Sequence, residues 1–299
     1  MIKNIAIIFT SIFFESLPFL LLGALISAII ETFVSNETIA KIIPKNKVLG
    51  SIVGVLLGFF LPACDCAVIP VSKRLLKKNV PINVAISFML ASPIINPVVL
   101  LSTYYAFYNT NPKIFWYRLL FGIIIALVIG IIMGIIFRNE KVIKNNIDEY
   151  CNCDDHCHHH KIKGGKEAIT HITKHTCEDL FEVVKYLMFG ALIASIVQVA
   201  VPRNILAIFN NNQILSIFAL MVFAYLISLC STSDSFVGKS LLSTFSQSSI
   251  VAYLLLGPMI DIKNTVVLMG NYKKNFVVTL ISLIFVVIFI FSVLVVKIL

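Results

Sequence analysis

The chain has 299 residues, of which 59% are hydrophobic and only 13% charged, and it carries a formal net charge of +9. A soluble domain carries about 25% charged residues, so with a mean hydropathy of +0.95 this composition excludes an ordinary soluble protein. The basic residues gather at the ends of apolar runs, which makes them topology signals and excludes a nucleic-acid-binding surface as the reason for the charge.

Apolar runs suited to membrane spans recur at 5–30, 48–61, 114–137, 186–201, 214–229 and 276–299, as expected of a polytopic helical membrane protein. The first run follows Lys3 and superficially suits a signal peptide. It is too long for that, contains Glu15 and lacks a small-residue cleavage pattern, so a retained first span is expected.

An internal repeat runs through the sequence at a spacing of about 166 residues. Gly23-Ala-Leu-Ile-Ser-Ala-Ile returns as Gly190-Ala-Leu-Ile-Ala-Ser-Ile, and Glu15 after Phe14 returns as Glu182 after Phe181. Cys64 then aligns with Cys230, Val71 with Val237 and Lys73 with Lys239, and Ser92-Pro93-Ile-Ile-Asn96 aligns with Gly257-Pro258-Met-Ile-Asp261. Ordered matches at Glu, Cys, Lys and Pro separate a repeat from the chance similarity of apolar runs.

The fold expected is therefore all-α: a polytopic membrane protein of two homologous halves with about four transmembrane segments each, about eight spans in all. Residues 1–137 form the first repeat, 138–177 a Cys/His-rich polar linker, and 178–299 the second repeat. Each half has a long helix (4–32; 179–201), then a segment broken at the Cys motif (47–78; 212–243). A segment turning at Ser-Pro or Gly-Pro follows (81–108; 249–271), then a continuous helix (113–137; 274–299). Little fixed structure is expected in 139–165. Charge bias, moderate in strength, favours an orientation with the N-terminus, the linker and the C-terminus in the cytoplasm. Both parallel and inverted repeats fit. In either, interrupted segments at matching positions of two halves point to a transporter's substrate site.

Four constellations carry chemistry. Cys64-Asp65-Cys66 lies between Pro62 and Pro70, and Cys230-Ser231-Thr-Ser-Asp234 is its partner in the second half. Thiolates are soft ligands for copper(I), zinc or trivalent arsenic, and a carboxylate in an apolar membrane segment costs about 2.5–3.5 kcal/mol on insertion scales. Convergence of Cys64, Cys66 and Cys230 with Asp65 and Asp234 nearby is expected; the competing reading is cysteine as a small packing residue. Ser92, Pro93 and Asn96, with Asp261 in the second half, mark breaks whose freed backbone groups can face a solute, or kinks that only ease packing. Glu15 and Glu182 are candidate proton carriers that would couple transport to the proton gradient, Glu182 being equally a solvated helix start. The fourth constellation is Cys151, Cys153, His156, Cys157, His158, His159 and His160, with His171 and His175 at i, i+4. It suits capture of zinc or another soft metal without matching a closed structural zinc motif; a solvated linker with incidental affinity fits as well. Lys73 and Lys239 read as residues snorkelling to the interface.

There is no P-loop and no nucleophile–base constellation, so neither an ATPase nor a hydrolase is expected. No cofactor is required; the expected partners are the lipid bilayer and a small soft-metal or metalloid solute, with no nucleic acid.

The blocks Leu-Pro-Ala-Cys64-Asp-Cys66-Ala-Val-Ile-Pro, Ala-Ser92-Pro-Ile-Ile-Asn96-Pro and Cys230-Ser-Thr-Ser-Asp234, in that order, resemble the predicted permeases related to ArsP and YraQ. The resemblance covers both membrane halves. It implies an inner-membrane permease of about eight spans and, from the ArsP-type members, efflux of trivalent organoarsenicals. It carries over Cys64, Cys66, Ser92, Pro93, Asn96, Cys230 and Asp234 as functional positions. Other solutes remain open: a zinc or soft-metal permease, or a membrane metal-binding and delivery protein acting through the Cys/His linker.

Overall fold

The computed structural model describes residues 2–33, 44, 46–61, 65–138, 142–144, 165–200 and 212–298. Nearly all of them are helical. In chain order the helices are α1 (Ile2–Phe33), α2 (Lys47–Phe60), α3 (Val68–Lys77), α4 (Ile82–Ile95), α5 (Pro97–Phe107) and α6 (Lys113–Ile136). Then come α7 (Gly165–Ala200), α8 (Gln213–Ile227), α9 (Ser233–Leu241), α10 (Gln247–Met259), α11 (Ile262–Asn271) and α12 (Lys274–Ile298). Six stretches are long and apolar enough to cross a membrane: Ile2–Ile29, Ile82–Phe107, Lys113–Ile136, Val183–Ala200, Gln247–Asn271 and Lys274–Lys297. With side chains such as Leu56, Phe60, Trp116, Phe189 and Ile290 exposed on the outside, this is the surface of a polytopic membrane protein.

The two broken segments, α4–α5 and α10–α11, form the centre. They are 78% and 89% buried, against 39% or less for the other four stretches. Helices α2 and α6 pack on α4, α8 and α12 pack on α10, and α4 touches α10 directly. Helix α1 lies along α7 and also touches α3, while α7 covers α11.

The breaks do not fall at the Ser-Pro and Gly-Pro pairs. Pro93 lies inside α4 and Pro258 inside α10. Each helix runs on for a few residues and ends where a side chain starts the next one. The Asn96 side chain accepts from the Val98 amide at 3.0 Å, and Asp261 Oδ1 accepts from the Asn264 amide at 2.6 Å. The reason is local. A proline inside a membrane helix loses one hydrogen bond and crowds the preceding turn, which packed neighbours can accommodate, whereas an extended residue carrying an oxygen side chain satisfies one of the orphan donors of a new helix. At Asn96, with ψ 130, the following Pro97 also disfavours the helical region.

Gly23 and Gly190 sit at close helix contacts. A Cβ on Gly23 of α1 would stand 2.5 Å from Ala67 Cβ and 2.9 Å from its Cα, and one on Gly190 of α7 would stand 2.9 Å from the Lys263 carbonyl oxygen. Both long helices thus approach at glycine, as small-residue packing between membrane helices requires. Both touch a segment that carries ionisable side chains.

The polar link holds more order than composition suggests. Ile143 forms an antiparallel bridge with Tyr272, closed by Lys144 N to Asn271 O at 3.0 Å and Lys273 N to Val142 O at 2.9 Å. Residues 142–144 thereby satisfy backbone groups at the end of α11. From Gly165 onward the chain is already in α7. Lys73, read from the sequence as an interface lysine, is buried and donates to Asn271 Oδ1 at 2.9 Å.

Candidate functional site

The Cys-Asp-Cys motif lies between α2 and α3. Asp65, Cys66 and Ala67 turn the chain into α3, and all three are buried; Cys64 lies outside the described residues. On the opposite side α8 ends at Ser228, whose φ of 51 and ψ of 49 are left-handed. A non-glycine residue there reverses the chain at a helix end. It carries Leu229 and Cys230 to the same place as Asp65 and Cys66.

There the side chains close around a cavity of about 30 Å³, lined among others by Glu15, Ser16, Asp65, Cys66, Cys230 and Lys263. The Cys66 thiol points to Ser16 Oγ at 3.8 Å, and Cys230 Sγ lies 3.4 Å from Thr232 Oγ1. Two thiols far apart in sequence thus face one space, supplied with hydroxyl and carboxylate oxygens by three separate helices or turns.

Two of these lining residues, Asp65 and Lys263, belong to a buried ion cluster. The Lys263 ammonium sits 3.2 Å from Asp65 Oδ2 and 3.4 Å from Asp261 Oδ2. Asn264 Nδ2 donates to Asp65 Oδ2 at 3.2 Å. Lys263 is only 3% exposed and Asp261 fully buried. A lysine in the first turn of α11 is opposed by the positive end of the helix dipole. The two carboxylates offset this, one from its own N-cap and one from the Cys-Asp-Cys turn. Ionisable groups held this deep in a membrane protein face a bundle interior or a wet cavity and mark a pathway for a solute or ion.

The remaining expected positions fall into other surroundings. Ser92 Oγ donates to the Leu61 carbonyl at 3.3 Å and fastens α4 to the end of α2. Pro93 is buried within α4, and Asn96 is engaged as the cap of α5. Asp234 and Ser231 belong to a second polar cluster. Asp234 Oδ1 accepts from the Tyr253 hydroxyl at 2.9 Å, and the Ser231 carbonyl accepts from Arg118 at 3.3 Å. Glu15 reaches the cavity from the exposed side of α1. Glu182, His171 and His175 lie on α7 with side chains outside the described set. Cys151, Cys153, His156, Cys157, His158, His159 and His160 lie outside the described residues altogether. Among the described residues, no group of three or more His, Cys, Asp and Glu side chains is arranged to hold a metal ion.

Three central residues were not singled out from the sequence: Lys263, Asn264 and Arg118. The signal for Lys263 was its place two residues after Asp261 in an apolar stretch. Arg118 stands one turn inside an apolar run.

The sequence family described as predicted permease, ArsP_1, matches residues 1–297. A Bacillus subtilis relative, UPF0718 protein YcgR, is 40% identical over 281 residues, covering 94% of this chain and 93% of that protein. A Streptococcus mutans relative, named a putative two-component membrane permease complex subunit, is 39% identical over 270 residues, covering 90% of this chain and 87% of that one. No solved structure matches. With the family model matched over nearly the whole chain and two relatives aligned over most of their length, the chain belongs to the predicted permease family ArsP_1.

Proposed function

We propose that this permease is secondary-active and exports a soft, thiol-reactive solute of the trivalent organoarsenical class. The observation that carries the reading is the meeting of Cys66 and Cys230 in one cavity with Asp65, Lys263 and Glu15. Thiolates from two parts of the chain suit a soft centre that exchanges its oxygen ligands for sulfur. In the balanced step, a methylarsenic(III) dihydroxide accepts two thiols, forms two As–S bonds and releases two waters; the reverse step discharges it. Cys64, Cys66 and Cys230 supply the thiols of this reading, two of them bonded to arsenic at a time. Asp65, Asp234, Asp261, Ser92, Ser231, Pro93 and Asn96 shape the path, and Glu15 with Glu182 carries protons. The cavity accommodates a water-sized group, so a larger solute binds as its walls move apart.

Eight crossings and two homologous halves belong to the same proposal. To the six long stretches it adds the shorter apolar helices Lys47–Phe60 and Gln213–Ile227. At 14 residues the first is about 21 Å long, short of a hydrocarbon core of about 30 Å, so its flanking turns complete the crossing. The description of the Streptococcus mutans relative as a subunit of a two-component membrane permease complex supports a second subunit working with this chain.

The test is whole-cell accumulation of methylarsenite and of zinc in a sensitive host, comparing wild type with Cys64→Ser and Cys230→Ser. Lower methylarsenite in the wild type, restored in both variants, supports the reading. A change in zinc alone, abolished by deleting residues 151–160, replaces it with a soft-metal permease or delivery protein centred on the Cys/His segment.

A further inference from the structure

The second polar cluster has no part in the cavity. Arg118 of α6 is completely buried. Its Nη1 donates to Thr103 Oγ1 of α5 and to Ser235 Oγ of α9, both at 2.7 Å. Its Nη2 donates to the Ser231 carbonyl at 3.3 Å. Thr103 and Ser235 are themselves 3.0 Å apart, and Ser102 lies 3.4 Å from Ser235. Next in sequence, Asp234 is 2% exposed, held by Tyr253, and attracts the guanidinium electrostatically. A Cβ at Gly257 would stand 2.6 Å from Asp234 Oδ2, so α10 closes over the carboxylate at a glycine.

The placement of this cluster is informative. Helix α5 follows the Asn96 break as α11 follows the Asp261 break, and Ser231 follows Cys230 as Asp65 follows Cys64. The contact of α5 with α9, which follows Cys230, thus corresponds, on the internal alignment, to the contact of α11 with α3, which follows the Cys-Asp-Cys turn. One of these two corresponding contacts borders a cavity. None of Thr103, Arg118, Ser231, Asp234 or Ser235 lines that cavity, and each is at most 2% exposed. The bonding also differs. Lys263 is gripped by two carboxylates, whereas the direct partners of Arg118 are hydroxyls and one carbonyl. Water can replace neutral oxygens around a guanidinium at small cost, provided the contact opens to water.

We propose that the Arg118 cluster is a closed gate, the counterpart of the cavity on the second access route of the permease. It opens as the cavity side closes, with Arg118 parting from Thr103 and Ser235 while Asp234 stays beside it as the counter-charge. The proposal requires only that the chain is a permease, whatever its solute, so failure of the thiol reading leaves it intact. It differs from a fastening that never opens by one property: the two sites are exposed to water reciprocally.

The experiment reads that reciprocity without a solute. Ser235→Cys is introduced as a reporter, and the purified protein in liposomes is treated on both faces with a charged thiol reagent. Modification at position 235 and at Cys230 is followed by site-resolved mass spectrometry, with and without Arg118→Met. Losing a hydrogen bond to a buried charged group shifts a two-state equilibrium about tenfold or more. The proposal therefore expects about tenfold faster modification at 235 and slower modification of Cys230 in the same sample. Both rates rising together would mean local unfolding and overturn the gate. A rise at 235 with Cys230 unchanged, or no change at either position, would also overturn it. If Arg118→Met does not fold, Thr103→Val, which removes one acceptor at nearly constant volume, is read by the same criteria.

Discussion

Replacing Lys263 by Met tests whether the ion cluster is structurally central. The ammonium is shared by Asp65 at 3.2 Å and Asp261 at 3.4 Å. Without it each carboxylate keeps one donor from Asn264, the side-chain amide for Asp65 and the backbone amide for Asp261. Two buried carboxylates then remain with no cation between them. Removing one partner of a buried pair typically destabilises by about 3–5 kcal/mol, and the two surviving hydrogen bonds place this case toward the lower figure. Adding Asp65→Asn removes one of the two charges. The double variant should recover part of the loss, with a coupling energy of about 1–3 kcal/mol. Unfolding by heat or denaturant in detergent, followed through the single tryptophan, Trp116, gives all four corners of the cycle. A Lys263→Met protein within about 0.5 kcal/mol of wild type, the range of an ordinary surface substitution, would refute the argument.

Three further outcomes are expected. Gly190→Ala places a methyl 2.9–3.0 Å from the Lys263 backbone and should cost about 1–3 kcal/mol. The same change at Gly270, where the neighbouring atoms belong to the Tyr186 ring, is relieved by a side-chain movement and should cost less; unfolding midpoints compare the two. Tyr253→Phe leaves the buried Asp234 Oδ1 without its 2.9 Å donor and should destabilise by about 1–3 kcal/mol, measured by the same melts. Deleting the bridge residues 142–144, which pair with 271–273, should increase amide exchange at the end of α11 while leaving α4 protected, as read by hydrogen–deuterium exchange.

The fold was legible to the extent that apolar length and rare polar letters reveal it. Runs such as 114–137 and 276–299 became α6 and α12 because they are apolar over a full bilayer thickness and a backbone in lipid must satisfy its own hydrogen bonds. The breaks were misplaced by a few residues because proline is the visible letter, while the capping oxygens of Asn96 and Asp261 do the terminating. In the site, Asp65, Cys66 and Cys230 stood out because carboxylates and paired thiols are scarce in such surroundings, and they do share a cavity. Lys263 and Arg118 were hidden for the opposite reason. Basic residues are common at span ends, and only the packing of α7 on α11, or of α5 on α9, distinguishes a buried cation from an interface one. The repeated glycines were seen as a signature of duplication; their contacts with Ala67 and Lys263 depend on helix approach and are not written in spacing.

The claim that one solute is held between thiols from distant parts of the chain is tested most directly by protection. Purified permease is titrated with methylarsenite and then alkylated, and the modification of Cys66 and Cys230 is measured separately. The account predicts that both thiols become protected together as one equivalent binds. Protection of neither, or of cysteines in the 151–177 region alone, would contradict it.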